Sequence, residues 1–293
     1  MGILDGKKAL ITGGARGLGF EIAKEYVKEG AEVLICSRSG GELEKAEKEL
    51  IALRPSEALR IASRICDVSS TGEVDALFEA ALSELGGGLD ILVNNAGIQG
   101  PIGLLEECGW DELEEVINVD LMGPLYCMRK AVSIFKKEQA ADPGSRSIIN
   151  LSGGGATGAR PYFMGYAVAK TGIVRATETL ARETAPFGIR VNAIAPGAMK
   201  TRMMDEIIDA GERAGEEYEL SVKRKENGGD SMEEPAKLAA YLGSDASAHI
   251  TGRLISAKWD GWRKFPDHAE DIEKSDVFTL RRIVPRDRGF DWE

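Results

Sequence analysis

Thr12-Gly13-Gly14-Ala15-Arg16-Gly17-Leu18-Gly19 follows the apolar run Ala9-Leu10-Ile11 and opens an amphipathic segment, Phe20–Lys28. Strand, glycine turn and helix, in that order, form the setting in which a glycine-rich loop binds a dinucleotide. Glycines let the backbone approach a pyrophosphate closely. The helix behind them presents free N–H groups and the positive end of its dipole. The glycines at 13, 17 and 19 depart from the commoner G-x-G-x-x-G spacing. A tight βα connection would use the same residues, so the loop alone leaves both readings open.

The rest of the chain repeats the alternation. Lys8–Thr12, Glu32–Cys36, Ile61–Cys66, Leu89–Asn94, Ser147–Ser152 and Arg190–Ala195 read as short apolar strands, with a last one in Thr251–Ser256. Helical patterns begin near Gly17, Gly41, Thr71, Trp110 and Phe163. Near-continuous apolar strands between amphipathic helices specify a parallel sheet covered on both faces. The expected fold class is therefore α/β, a doubly wound parallel sheet of Rossmann type in a single domain. Its crossovers are right-handed and its ligands sit at the carboxyl ends of the strands.

Within the helical pattern that starts near Phe163, Tyr166 and Lys170 are four residues apart and share one face. A free phenol titrates near pH ~10 and is a sluggish acid or base at neutrality. An ammonium ~4 Å away favours phenolate by roughly 4 kcal/mol at an effective dielectric of about 20. Such a pair suits general acid–base work. Two exposed residues on an amphipathic helix are the plain alternative, and it weakens once the glycine loop is considered with the pair.

The glycine loop, Asn94-Asn95-Ala96-Gly97, the Tyr166/Lys170 pair and Pro196-Gly197 occur in this order. Together they resemble the short-chain dehydrogenase/reductase family over roughly residues 5–262. The resemblance implies an oxidoreductase that interconverts a carbonyl and a secondary alcohol. Hydride would pass to or from a nicotinamide cofactor, with Tyr166 as proton donor and Lys170 supporting it. It further implies cofactor contacts from Gly13, Arg16, Gly17, Leu18, Gly19, Ser37, Arg38, Asp67, Val68, Asn94, Ala96, Gly97, Tyr166, Lys170, Pro196, Gly197 and Thr201, with Lys170 on the nicotinamide ribose. In that scheme Asp67 meets the adenine, Thr201 meets the nicotinamide carboxamide, and Asn118 holds a relay water. Asn94 is also expected to satisfy backbone groups of the central strands. The family's serine falls thirteen positions before the tyrosine, which here is Gly153. Ser152 is the nearest hydroxyl, and either Ser152 or a backbone N–H at the glycine run is expected to serve instead.

At the end of the second strand the chain reads Cys36-Ser37-Arg38, with no acid to accept from ribose hydroxyls. Arg16 lies across the same pocket in the family. Two guanidiniums and no carboxylate suit a 2′-phosphate, so NADP(H) is the expected cofactor. Arg160 and Arg202 near the expected pocket point to a polar, anionic substrate such as a sugar or nucleotide-sugar derivative. A 3-oxoacyl thioester reductase and a non-catalytic NADP(H)-binding scaffold are the alternatives, the last suggested by Gly153.

The formal charge of −11 argues against a nucleic-acid or anionic-membrane surface. Cys36, Cys66, Cys108 and Cys127 are widely spaced in or beside apolar segments and read as buried thiols of a reducing cytoplasm. With only His249 and His268, a histidine-built metal site is not expected. No apolar run approaches a membrane span. The partners expected are thus a small-molecule substrate and further copies of the chain, as a homodimer or homotetramer. Residues 1–262 are expected to form the catalytic domain. The charged stretch at about 200–232 reads as a substrate lid or as a solvated surface hairpin. Residues 263–293 read as an ordered extension, because Phe278, Leu280, Ile283, Val284, Phe290 and Trp292 are too apolar for a free tail.

Overall fold

The sheet alternates its apolar side chains between two helical layers, and this alternation fixes the architecture. The computed structural model describes residues 2–139 and 145–292. Strands β1 (Lys8–Thr12), β2 (Glu32–Ser37), β3 (Ile61–Ile65), β4 (Ile91–Asn94), β5 (Arg146–Leu151), β6 (Ile189–Ala195) and β7 (Leu254–Ser256) form one sheet of order β3-β2-β1-β4-β5-β6-β7. Every pairing is parallel, with Leu10 opposite Leu34 and Leu92. Successive residues of a strand point to opposite faces. Ala9, Ile11, Val33, Ile35, Ile91 and Val93 enter one core with helices α1 (Gly17–Lys28), α2 (Gly40–Leu53) and α9 (Glu233–Gly243). Leu10, Leu34, Leu92 and Ile148 enter the other core with α3 (Thr71–Glu84), α5 (Gly123–Gln139) and α6 (Met164–Thr184). Truncating a fully buried residue such as Ile35 to alanine costs about 2–5 kcal/mol.

The strand order reverses between β1 and β4, the switch point beyond whose carboxyl ends doubly wound sheets bind their ligands. Helix α4 (Trp110–Ile117) does not run straight into α5; a π turn at Asn118–Met122 separates them. The charged stretch after β6 is two helices, α7 (Arg202–Ala210) and α8 (Glu216–Glu226). Ile207 and Ala214 of this segment pack on Ile102 and Phe163, forming a small third core above the sheet. Its far end is tied back to the domain, where Asp230 Oδ2 accepts from Ala198 N at 2.8 Å and Lys258 Nζ donates to Asp230 Oδ1 at 2.6 Å.

Beyond β7 the chain stays on the domain for some distance. Trp262, Phe265 and Ile272, the last in α10 (Ala269–Lys274), are buried in the α1/α2/α9 core. Phe278 O accepts from Leu254 N at 2.8 Å, so the extension lies along the outer edge of β7. Leu280 is held at both backbone atoms, by Glu178 Oε1 at 2.6 Å and Arg175 at 2.7 Å. The last residues are different: Ile283, Phe290 and Trp292 are exposed, with the two aromatic rings stacked at 6.0 Å. No helix among the described residues is long and apolar enough to cross a membrane.

Candidate active site

The glycine loop leaves β1 at Thr12 and is shaped by close packing. Gly13 has φ +64, and a Cβ there would come within 2.8 Å of Ala96 Cα. A Cβ on Gly19 would lie 2.3 Å from Gly13 O. Gly17 is the open position, with φ +56 and nothing within 4 Å of its missing side chain. It begins α1, whose first turn carries no acid and whose N-cap, Arg16, makes no side-chain cap. Free N–H groups, open space and no acid in the first turn fit a pyrophosphate. Leu18 is buried beneath the loop.

The Asn94–Gly97 turn pins this loop from the side. Thr12 Oγ1 accepts from Asn95 N and Ala96 N at 3.0 and 3.1 Å, and Asn95 Nδ2 donates to Thr12 O and Gly13 O at 3.0 and 3.1 Å. Asn95 is therefore the asparagine that shapes the loop. Asn94 is buried in the interior, donating to Asn150 Oδ1 at 2.9 Å, and Asn150 donates in turn to Thr177 Oγ1 at 2.8 Å. Asn94, expected both at the cofactor and as support for the central strands, ties β4 to β5 through its side chain, which also donates to Pro124 O at 3.5 Å.

At the end of β2, Ser37 Oγ accepts from Ser39 N, and Arg38 is exposed, 3.7 Å from Asp67 and 3.6 Å from Glu115. Asp67 Oδ1 accepts from Ser69 N and Oγ, fixing the turn after β3, and Val68 is buried beside it. Arg16 reaches across to Glu42 at 2.9 Å. These exposed pairs are worth about 0–1 kcal/mol each, so both guanidiniums are available to an incoming anion. On the opposite side, Gly197 (φ +98) follows Pro196, and Thr201 stands as N-cap residue of α7. A pocket of about 340 Å³ opens between Gly197, Arg224, Asp230, Lys258 and Trp259.

Helix α6 carries Tyr166 and Lys170 on one buried face. Lys170 Nζ lies 5.4 Å from the Tyr166 ring centre, donates to Leu151 O at 3.2 Å and pairs with Asp120 Oδ2 at 3.1 Å. Asp120 is fully buried in the π turn, and its Oδ1 accepts from Ile98 N at 2.8 Å. A Cβ on Gly97 would reach 2.8 Å from Asp120 Oδ2, so the approach needs glycine there. Burial pushes the Asp120 carboxyl above the usual carboxylate range, against the pull of Lys170 and the Ile98 N–H. Burial acts to lower the Lys170 pKa, but the Asp120 carboxylate and Tyr166 outweigh it and raise the ammonium above the usual lysine range. Asn118, expected at this place, is exposed on the other side of the turn. Asp120 is the residue that sequence reasoning missed.

Ser152 and Gly153 face different surroundings. Ser152 N donates to Ile194 O at 2.8 Å, continuing the ladder of β5, so no bulge turns its side chain round. Its Oγ is buried without a hydrogen-bond partner among the described residues. Gly153 faces the phenol, and a Cβ there would lie 2.4 Å from the Tyr166 hydroxyl oxygen. The phenol thus occupies the room that a side chain at 153 would need. Arg160 lies over this region, its guanidinium 3.9 Å from the Phe163 ring centre and 5.6 Å from that of Tyr166. Arg202, expected near the pocket, is instead paired with Glu206 at 3.1 Å on the outer face of α7.

Comparison with known proteins agrees with this geometry. A family model described as Enoyl-(Acyl carrier protein) reductase matches residues 13–258. The 3beta-hydroxysteroid dehydrogenase 1 of Eggerthella lenta is 37% identical over 253 residues, covering 86% of this chain and 92% of that protein. The 3-oxoacyl-acyl-carrier-protein reductase FabG of Chlamydia trachomatis is 34% identical over 257 residues, covering 87% and 97%. A solved structure of 3-ketoacyl-acyl-carrier-protein reductase from Brucella melitensis, complexed with NADH, superposes with a TM-score of 0.75 at 31% identity. That superposition covers 86% of this chain and 97% of the other. Fold, loop geometry and these relatives lead to one conclusion: the chain belongs to the short-chain dehydrogenase/reductase family of nicotinamide-dependent oxidoreductases.

Proposed function

We propose that the protein is an NADP(H)-dependent enzyme that interconverts a carbonyl and a secondary alcohol, with Tyr166 as proton donor and Lys170 and Asp120 behind it. The observation that carries this reading is the Tyr166 hydroxyl at Gly153, at the carboxyl end of β5, with the buried Lys170 ammonium beneath its ring. The nicotinamide, when bound, supplies or takes the hydride. In the reducing direction Tyr166 gives its proton to the carbonyl oxygen. Lys170 holds positive charge beneath the ring as that proton leaves, and Asp120 keeps the lysine charged and in place. The backbone at the glycine run, not Ser152, meets the developing oxyanion, because Gly153 is the residue against the phenol.

Arg16 and Arg38 support a 2′-phosphate on the adenine ribose, since no acid ends β2 and both guanidiniums are exposed. The FabG relatives make a 3-oxoacyl thioester the second reading of the substrate. Consumption of NADPH and of NADH with a panel of ketones, aldehydes and thioesters tests the reading. Turnover with NADPH preferred over NADH is expected. Tight NADPH binding with no turnover of any carbonyl would make the protein a binding module instead.

A further inference from the structure

The loop between β5 and α6 places a cation where the reactive group of a substrate must sit. Arg160 is only 15% exposed at its side chain and lies across Gly154, with its Cζ 3.6 Å from where a Cβ would stand. No side chain at 153–155 separates its guanidinium from the phenol of Tyr166. The backbone that carries it is fixed. Phe163 N donates to Arg160 O, Gly103 N donates to Tyr162 O at 3.0 Å, and Tyr162 sits at φ +71 against Gly215 of the lid. A left-handed tyrosine held by such packing marks a loop whose shape is imposed by its surroundings.

The neutralisation of this cation is incomplete. Arg160 forms no hydrogen bond through its guanidinium among the described residues; its one carboxylate neighbour is Glu217 of α8, at 3.6 Å. Glu217 is committed elsewhere, accepting a hydrogen bond from Arg224 at 3.2 Å. Two guanidiniums therefore share one carboxylate, and the one nearer the phenol has the weaker hold on it. A planar guanidinium without a hydrogen-bond acceptor among the described residues suits bidentate capture of a carboxylate or phosphate.

We infer that Arg160 binds an anionic group of the substrate close to its carbonyl, and that Glu217 of the lid holds the place of that anion between turnovers. This rests on the oxidoreductase reading and narrows its substrate to a carbonyl compound bearing a carboxylate or phosphate near the reacting carbon. On binding, the substrate anion replaces Glu217 at Arg160, and Glu217 stays on Arg224.

Calorimetric titration of the full-length protein with acetoacetate, methyl acetoacetate and inorganic phosphate, for wild type, Arg160→Gln and Glu217→Gln, tests the inference. Acetoacetate or phosphate should bind about tenfold or more weakly to R160Q, and the ester should be unaffected. E217Q should bind the anion more tightly than wild type, a gain that misfolding cannot imitate. Preference for acetoacetate over phosphate assigns a carboxylate to the site, and the reverse assigns a phosphate. Equal binding of acid and ester in wild type, or anion binding unchanged in R160Q, overturns the inference. Anion binding through Arg160 in a protein that reduces no carbonyl would instead remove the oxidoreductase reading, and with it the substrate assignment, leaving only an anion site at Arg160.

Discussion

The turn between β1 and α1 and the wall around Tyr166 are built in different ways. In the turn, each glycine answers a requirement that lies close by: a left-handed φ at Gly13 and Gly17, and a backbone oxygen against Gly19. The wall brings together Asp120 from a π turn, Gly153 and Arg160 from one loop, and Glu217 from α8. Its shape depends on contacts between segments far apart in sequence, including Ile102 and Phe163 against Ile207 and Ala214. The dinucleotide side thus rests on backbone preferences within one turn, pinned from outside by Asn95, whereas the wall around Tyr166 is assembled almost wholly by tertiary packing.

This division predicts where substitutions act. Tyr166→Phe should have the largest effect, lowering kcat by about 10²–10⁴-fold because it removes the transferable proton, with NADPH affinity nearly unchanged by titration. Comparable loss of cofactor affinity would show that the two sides are not separable. Gly153→Ser should not improve the enzyme: the new Cβ would meet the Tyr166 hydroxyl, and displacing the phenol by an ångström lowers turnover by about 10²-fold. Faster turnover in this variant would mean that the phenol yields and the serine contact is restored.

Arg38→Asp probes the other side. NADPH affinity should fall by about 2 kcal/mol, roughly 30-fold, with NADH affinity equal or improved in parallel titrations. A variant that still prefers NADPH would take the phosphate pocket away from Arg38.

The smallest expected effect is a change of pH profile. In the native protein, Asp120 helps raise the Lys170 ammonium against the opposing effect of burial. Asp120→Asn removes that support, so the lysine loses its proton at lower pH and the alkaline limb of kcat/KM should move to lower pH. The neutral side chain can still accept from Ile98 N, which limits structural damage. An alkaline limb that stays in place would show that the ion pair is structural only.

The same contrast explains what could be read from the amino-acid sequence. The strands, the glycine loop and the Tyr166/Lys170 face were legible because each rests on a period or a backbone preference contained in a few residues. The family resemblance points to Asn118, whereas the structure puts Asp120 at Lys170; the π turn at 118–122 re-phases the helix, so a 3.6-residue period does not tell which of the two faces the lysine. Arg202 and Arg160 looked alike in sequence. Only the folded structure shows that one joins Glu206 on the surface and the other lies over the Tyr166 ring. Asn94 and Asn95 differ by one residue, and strand alternation sends the first into the core and leaves the second at the loop.

The central claim is that hydride passes between a nicotinamide and a carbonyl carbon under the Tyr166 hydroxyl. Incubating the protein with NADPH deuterated at the transferable position and a mixture of oxo acids and ketones, then analysing the products by mass spectrometry, tests it most directly. The account predicts an alcohol carrying one deuterium on the carbinol carbon, formed by wild type and absent with Tyr166→Phe. Deuterium that stays in the dinucleotide, or an equally labelled alcohol from the phenylalanine variant, would contradict it.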